Sequence, residues 1–136
     1  LGTREIEESI SSHPNVAEVA VVGVADQLKG QVAMAFAVPR DASLLTSDAD
    51  RLKMEGEIMK RVDEQLGAVA RPARVRFVSV LPKTRSGKLL RRALIGIDKL
   101  YLHSRIGGQI LCQPVKPGTT TKNITYDSQM LHITSA

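Results

Sequence analysis

Residues 81–92 are the most informative part of this chain: Leu81-Pro82-Lys83-Thr84-Arg85-Ser86-Gly87-Lys88-Leu89-Leu90-Arg91-Arg92. We expect a strand that ends near the proline, a polar loop, and a helix that begins at Lys88 and continues to about Ile97. Ser86 is the candidate N-cap, because a serine hydroxyl accepts a hydrogen bond from the free N–H groups of a first helical turn. The helix dipole disfavours a cation at its N-terminus, so Lys88 at this position suits an anionic partner better than it suits stability.

Positive charge is concentrated around this stretch. The chain of 136 residues has a formal net charge of +5, and residues 65–97 contain eight Lys and Arg residues but no Asp or Glu. We therefore expect the neutralising anions to come from another domain, a nucleotide or a nucleic acid. The chain has two Phe, two Tyr and no Trp, which argues against single-strand binding by base stacking.

Several interpretations of the basic loop follow from the residues alone. One is a solvated loop without a ligand. A phosphate-binding P-loop needs glycine six positions before the lysine and Ser or Thr directly after it. Those positions hold Pro82 and Leu89, so the P-loop is excluded. A basic module that binds nucleic acid and a stand-alone interaction or regulatory domain remain open.

The first 97 residues predict alternating helices and strands, from their apolar spacing and their turn residues. The predicted elements are a helix over Arg4–Ser12 capped by Thr3, strands over Val16–Val24 and Gln31–Val38, a helix from Asp48 to Gly67 capped by Ser47, and a strand over Arg74–Leu81. The second strand alternates large and small apolar residues, namely Val32, Met34, Phe36 and Val38 with Ala33, Ala35 and Ala37. Since both of its faces are apolar, this strand is central and covered on both sides. The predicted fold class is α+β, a small three-stranded sheet flanked by helices on both faces.

Residues 82–88 resemble the last signature motif of the adenylate-forming acyl-CoA synthetases, without a break over seven positions. Residues 1–7, 13–23 and 28–31 are also similar to the short-chain branch of that family. Among these enzymes, residues 4–10 and 67–74 most resemble the bacterial propionate–CoA ligases, followed by the acetate–CoA ligases. The resemblance covers about residues 1–97 and implies the mobile C-terminal domain of a short-chain acyl-CoA synthetase.

The resemblance also implies a role for each residue of the loop. Lys88 is the expected catalytic residue, since the matching lysine reaches the carboxylate and the α-phosphate while the acyl-adenylate forms. The expected nucleotide-proximal loop consists of Lys83, Thr84, Arg85, Ser86 and Gly87. After the domain rotates, its other face lines part of the coenzyme A channel. The implied substrates of the complete enzyme are ATP with Mg²⁺, propionate or acetate, and coenzyme A.

The resemblance also implies which proteins the chain interacts with and what it does not do alone. The implied partners are a large N-terminal domain of the same enzyme, and an acetyltransferase and a deacetylase acting on Lys88. The family's hinge residue and its glycine beside pantetheine fall upstream of Leu1, so we expect the chain alone to be inactive and to bind neither substrate. Acetate-using relatives have an arginine for coenzyme A where this chain has Asp63, so that role is not transferred.

Composition and pattern bear on membrane insertion, cellular compartment, metal binding and the order of the C-terminal residues. No apolar run approaches the roughly 20 residues that span a bilayer, and no signal peptide is recognisable, so a membrane is not an expected partner. With the resemblance to the acyl-CoA synthetases, nucleic acid is not an expected partner either. The single cysteine, Cys112, fits a reducing compartment, here the cytoplasm. Three scattered His residues and one Cys predict no metal site. Residues 98–136 lack a sustained period, apart from a possible strand near 108–115, and we expect a poorly ordered tail or one foreign to the family.

Overall fold

The structure is a computed structural model that describes residues 2–26, 30–98, 101–106, 109–114, 120–121, 124–126 and 131–133, with side-chain surroundings given within 2–24, 30–47 and 49–95. Its helices are α1 (Thr3–Ser11), α2 (Asp48–Leu66) and α3 (Arg91–Asp98). Its strands are β1 (Val16–Asp26), β2 (Gly30–Pro39), β3 (Arg74–Phe77), β4 (Tyr101–Ile106), β5 (Gln109–Pro114), β6 (Thr120–Thr121), β7 (Ile124–Tyr126) and β8 (Leu131–Ile133). Short 3₁₀ turns lie at Ala42–Leu44 and Ala68–Ala70. No helix within these ranges is long and apolar enough to cross a membrane.

Strands β1, β2 and β3 form one sheet in that order. β1 and β2 are antiparallel, with Val21 opposite Ala35, whereas β2 and β3 are parallel, with Ala35 opposite Val75. A parallel neighbour needs a long crossover connection, and α2 lies in the segment that joins β2 to β3. The predicted three-stranded sheet is confirmed, with β2 at its centre.

The two faces of β2 pack against different helices. Its small residues, such as Ala35, belong to one buried cluster with Ile58 and Val62 of α2, which also contains Ile6 and Ile10 of α1. The large residues of β2 lie in a second cluster with Leu81 and with Leu94 of α3. Helices therefore cover both faces, and the predicted α+β architecture is confirmed.

The ends of α2 agree with the sequence prediction. The Ser47 hydroxyl accepts a hydrogen bond from the Asp50 N–H at 3.1 Å. The Thr46 hydroxyl donates to the Asp50 carboxylate at 2.8 Å, and this bond, together with that from the Thr46 N–H, lowers the pKa of Asp50. At the other end Gly67 has a φ of 92°, a left-handed conformation that glycine adopts without the strain of a side chain.

Other element boundaries differ from the predictions. Thr3 is the first residue of α1 and not its cap, because the N-cap position belongs to Gly2, which has no side chain to cap with. β3 ends at Phe77 and not at Leu81, although the next residue, Val78, still donates a backbone hydrogen bond to Ala37 O at 2.9 Å. Leu81 is nevertheless buried at 4% exposure.

The described residues after α3 form strands. β4 and β5 are an antiparallel pair, and β6, β7 and β8 form a separate three-stranded sheet. β5 lies where the sequence left a strand open, while the other strands lacked a recognisable period. The division of the chain into a domain over 1–97 and a separate tail stays a prediction.

Candidate functional site

Residues Lys83 to Leu89 form a small β-hairpin, which we call the 83–89 hairpin. The Thr84 N–H donates to the Lys88 carbonyl at 2.8 Å, and the Gly87 N–H donates to the Thr84 carbonyl at 2.9 Å. Lys83 and Leu89 pair as an isolated antiparallel bridge. Gly87 has a φ of 89°, as expected for the last residue of a three-residue hairpin loop. The loop is therefore closed by backbone bonds and by the one residue type that adopts this φ freely.

The prediction that a helix begins at Lys88 is wrong. Hairpin pairing continues past Lys88, because the Leu90 N–H donates to the Pro82 carbonyl at 2.9 Å. The Leu90 carbonyl then accepts from the N–H groups of Ala93 and Leu94 at 3.1 and 3.4 Å, so α3 begins at Arg91. Lys88 consequently escapes the unfavourable end of the helix dipole.

Ser86 is not an N-cap either. Its hydroxyl lies 3.0 Å from that of Thr84, inside the hairpin loop. Thr84 has the capping-like role instead, because its hydroxyl accepts from the Lys88 N–H at 3.0 Å. The two hydroxyl groups thus brace the loop immediately before the lysine.

The side chain of Lys88 is exposed. No acidic group among the described residues lies within ion-pair distance of its ammonium, and the same holds for Arg85 and Arg92. Three free cations therefore cluster on or beside the 83–89 hairpin. Such an arrangement favours an incoming anion, since these charges lose no existing partner on binding it.

Three other cations of the basic segment are neutralised within the chain. They form three ion pairs, namely Arg74 with Glu55, Lys83 with Glu18 and Arg91 with Glu7. The expectation that the anions come from outside the chain is therefore wrong for these three. Residues 65–97 contain no Asp or Glu, and the acids that pair with these three cations lie on α1, β1 and α2. For two of the three pairs, those of Glu7 and Glu18, the abundance of Glu before residue 20 was the available signal.

Replacing Gly87 by alanine should destabilise the hairpin. A Cβ at this position meets nothing within 4 Å, so the cost comes from the left-handed φ alone, about 1 kcal/mol in the free energy of unfolding. Gly56, inside α2, also has open space for an added methyl group but no positive φ. Gly56→Ala is the matched control and should stabilise by up to about 1 kcal/mol. Urea denaturation of both variants measures the difference, and equal effects would contradict the assigned role of Gly87.

Comparisons with known proteins place this chain among described sequences and structures. Residues 5–88 match the family of the AMP-binding enzyme C-terminal domain, and the match ends at the lysine of the hairpin. A propionate–CoA ligase of Salmonella typhimurium is 52% identical over 121 residues, which are 89% of this chain and 17% of that protein. An acetyl-coenzyme A synthetase of Pyrobaculum aerophilum is 47% identical over 94 residues, which are 69% of this chain and 13% of that protein.

A solved structure shows the same fold. ATP-bound MatB from Rhodopseudomonas palustris superimposes with a TM-score of 0.61 at 30% identity, over 73% of this chain and 18% of that one. The chain thus spans about a sixth of the length of the proteins it matches. A family match over residues 5–88 and a relative 52% identical over 89% of the chain agree, and the chain belongs to the AMP-binding enzyme C-terminal domain family.

Proposed function

We propose that this chain is the mobile C-terminal domain of a short-chain acyl-CoA synthetase that converts propionate, ATP and coenzyme A to propionyl-CoA, AMP and diphosphate. The observation that carries the proposal is the free ammonium of Lys88, exposed beside a loop closed by Gly87. The proposal is also supported by the relatives, which are propionate–CoA and acetate–CoA ligases.

Lys88 is the proposed catalytic residue of the first half-reaction. A carboxylate oxygen of the acid attacks the α-phosphorus of ATP, the bond to diphosphate breaks, and an acyl-adenylate forms. Negative charge is shared between the attacking carboxylate and the phosphate in the transition state, and a preorganised ammonium stabilises it. Lys83, Thr84, Arg85, Ser86 and Gly87 form the loop that brings Lys88 to the nucleotide.

The second half-reaction requires Lys88 to withdraw. The domain rotates against the large N-terminal domain, and its other face completes the channel through which the coenzyme A thiol reaches the adenylate. The thiol attacks the acyl carbon and AMP leaves. A motion of this kind gates the two steps, and it explains why a catalytic lysine lies on an exposed hairpin and not in a buried pocket.

Propionate is the proposed acid, with acetate as the alternative. The match to the propionate–CoA ligase covers 121 of the 136 residues, so it necessarily extends beyond residue 97, where we expected the resemblance to end. The match to the acetyl-coenzyme A synthetase covers 94 residues. The longer match favours the propionate branch. Steady-state kcat/KM values for propionate and acetate in the intact protein test this choice.

Regulation and location are part of the proposal. Acetylation of Lys88 by a protein acetyltransferase would remove the charge that adenylation uses, and a deacetylase would restore it. The proposed location is the cytoplasm. No three His, Cys, Asp or Glu residues within the described ranges group as metal ligands, so we propose that Mg²⁺ enters with ATP.

A chimaeric ligase tests the proposed function. The matched C-terminal segment of the Salmonella propionate–CoA ligase is replaced by this chain, and propionyl-CoA formation is measured. We expect the chimaera to be active, and the isolated chain and the truncated ligase each to be inactive. The proposal would be contradicted by a chimaera that unfolds cooperatively, with a melting temperature near that of the unmodified ligase, but forms no adenylate.

A further inference from the structure

We infer that Glu18 is a positioning residue for Lys88, acting through Lys83; this inference rests on the proposed function of Lys88. Lys83 then does not bind the nucleotide. Its ion pair with Glu18 of β1 fixes the 83–89 hairpin to the sheet. Glu18 lies 65 positions from Lys83 in the sequence, and its carboxylate binds the lysine ammonium directly.

Glu18 is placed for this purpose by strand β1. Alternation along β1 puts Glu18 on the same face as Ala20 and Val22, which belong to the buried cluster covered by α3. Glu18 lies two residues after Val16, and the pairing register of β1 with β2 shifts between them. Glu18 is therefore the first residue of β1 on the face covered by α3. Its carboxylate meets the first arm of the hairpin where the apolar cluster ends.

A second ion pair fixes the chain just after the hairpin, at Arg91, the first residue of α3. The Arg91 guanidinium lies 3.3 Å from the Glu7 carboxylate and donates to the Val21 carbonyl at 2.8 Å. The same Glu7 oxygen accepts from the Val21 N–H at 2.7 Å. The segment that contains Lys88 is thus held at both ends: Lys83 binds β1, and Arg91 binds α1 and β1. The loop between them keeps its cations free.

The strength of the Glu18 pair suits positioning and not folding. The two side chains are 37% and 41% exposed, and exposed pairs of this kind change an equilibrium by about two- to fivefold. A hairpin that is fixed for a larger fraction of the time holds the ammonium of Lys88 in reach more often. We expect the rate of adenylate formation to follow that fraction.

A double-mutant cycle in the chimaeric ligase tests the inference. Glu18→Gln and Lys83→Gln should each lower the rate of adenylate formation by about two- to fivefold. The double variant should be no slower than either single variant, because both act on one contact. Thioester formation from supplied propionyl-adenylate should not change. Glu64→Gln is the matched control, since it removes an exposed ion pair with Lys60 that is remote from the hairpin in sequence.

Hydrogen exchange gives a second measurement that does not depend on activity. The amides of Thr84 and Gly87, which close the hairpin, should exchange faster in Glu18→Gln than in Glu64→Gln. Equal rates and equal activities of these two variants would overturn the inference. A Lys83→Gln defect that adds to that of Glu18→Gln would also overturn it, because Lys83 would then act on the substrate directly. Failure of the proposed function is a distinct result, namely full adenylation by Lys88→Ala.

Discussion

Lys88→Ala in the chimaeric ligase should lower the rate of adenylate formation by about 100- to 1,000-fold, the usual effect of removing one preorganised group that stabilises transition-state charge. Thioester formation from supplied propionyl-adenylate should remain near the rate of the chimaera without the substitution, since the proposed rotation moves Lys88 away before that step. Pyrophosphate exchange and single-turnover thioester assays measure the two steps separately. The effect should greatly exceed that of Glu18→Gln. Lys88→Ala removes the ammonium itself, whereas Glu18→Gln only weakens a contact that positions it.

Loss of the positive charge can be separated from loss of the side chain at residue 88. Lys88→Gln resembles acetyl-lysine and should be as defective in adenylation as Lys88→Ala. Arg92→Ala is the matched control, because it also removes one free cation near the hairpin but leaves the ammonium in place. Equal loss of both half-reactions in Lys88→Ala, or an equal defect in Arg92→Ala, would reject the role of Lys88.

Glu55→Met should have the largest effect on stability, about 3–5 kcal/mol in the free energy of unfolding. Glu55 is 8% exposed at its side chain and lies 3.0 Å from the Arg74 guanidinium, which is itself 15% exposed. The same carboxylate oxygen accepts from the Val75 N–H at 2.7 Å. The substitution leaves a partly buried cation and an edge-strand N–H without their acceptor, and urea denaturation measures the cost.

Two further variants identify the cause of that cost. Glu64→Met removes an acid from the same helix, but its pair with Lys60 is exposed, so the change should be within about 0.5 kcal/mol. The double variant Glu55→Met with Arg74→Met should recover part of the loss, because no unpaired charge remains. A Glu55→Met variant as stable as Glu64→Met would show that the pair contributes nothing.

The sheet was predictable from the sequence because its pattern is local. Alternation of large and small residues along β2 identified a central strand, and the structure buries Met34, Ala35, Phe36 and Ala37 completely. Ser47 and Gly67 marked the ends of α2 for the same reason, since caps depend on neighbours within a few residues. These signals survive without any knowledge of the tertiary structure.

The hairpin was not predictable in this way. The order Ser86-Gly87-Lys88 fits an N-cap as well as it fits a hairpin loop, so local preference left the choice undecided. Pairing of Leu90 with Pro82 and the contact from Glu18 decided it. The acids that support the hairpin are 65 and 84 positions away from their partners, and no local pattern assigns such partners.

The contact of Glu7 and Arg91 with Val21 has a consequence for self-association. β1 is an edge strand of 11 residues, and unpaired backbone groups on a long edge are a template onto which another molecule can add a strand. At the middle of this edge, side chains already occupy the N–H and the carbonyl of Val21. A second copy would have to displace a carboxylate and a guanidinium before it could extend the sheet, so these two residues also protect the domain against aggregation.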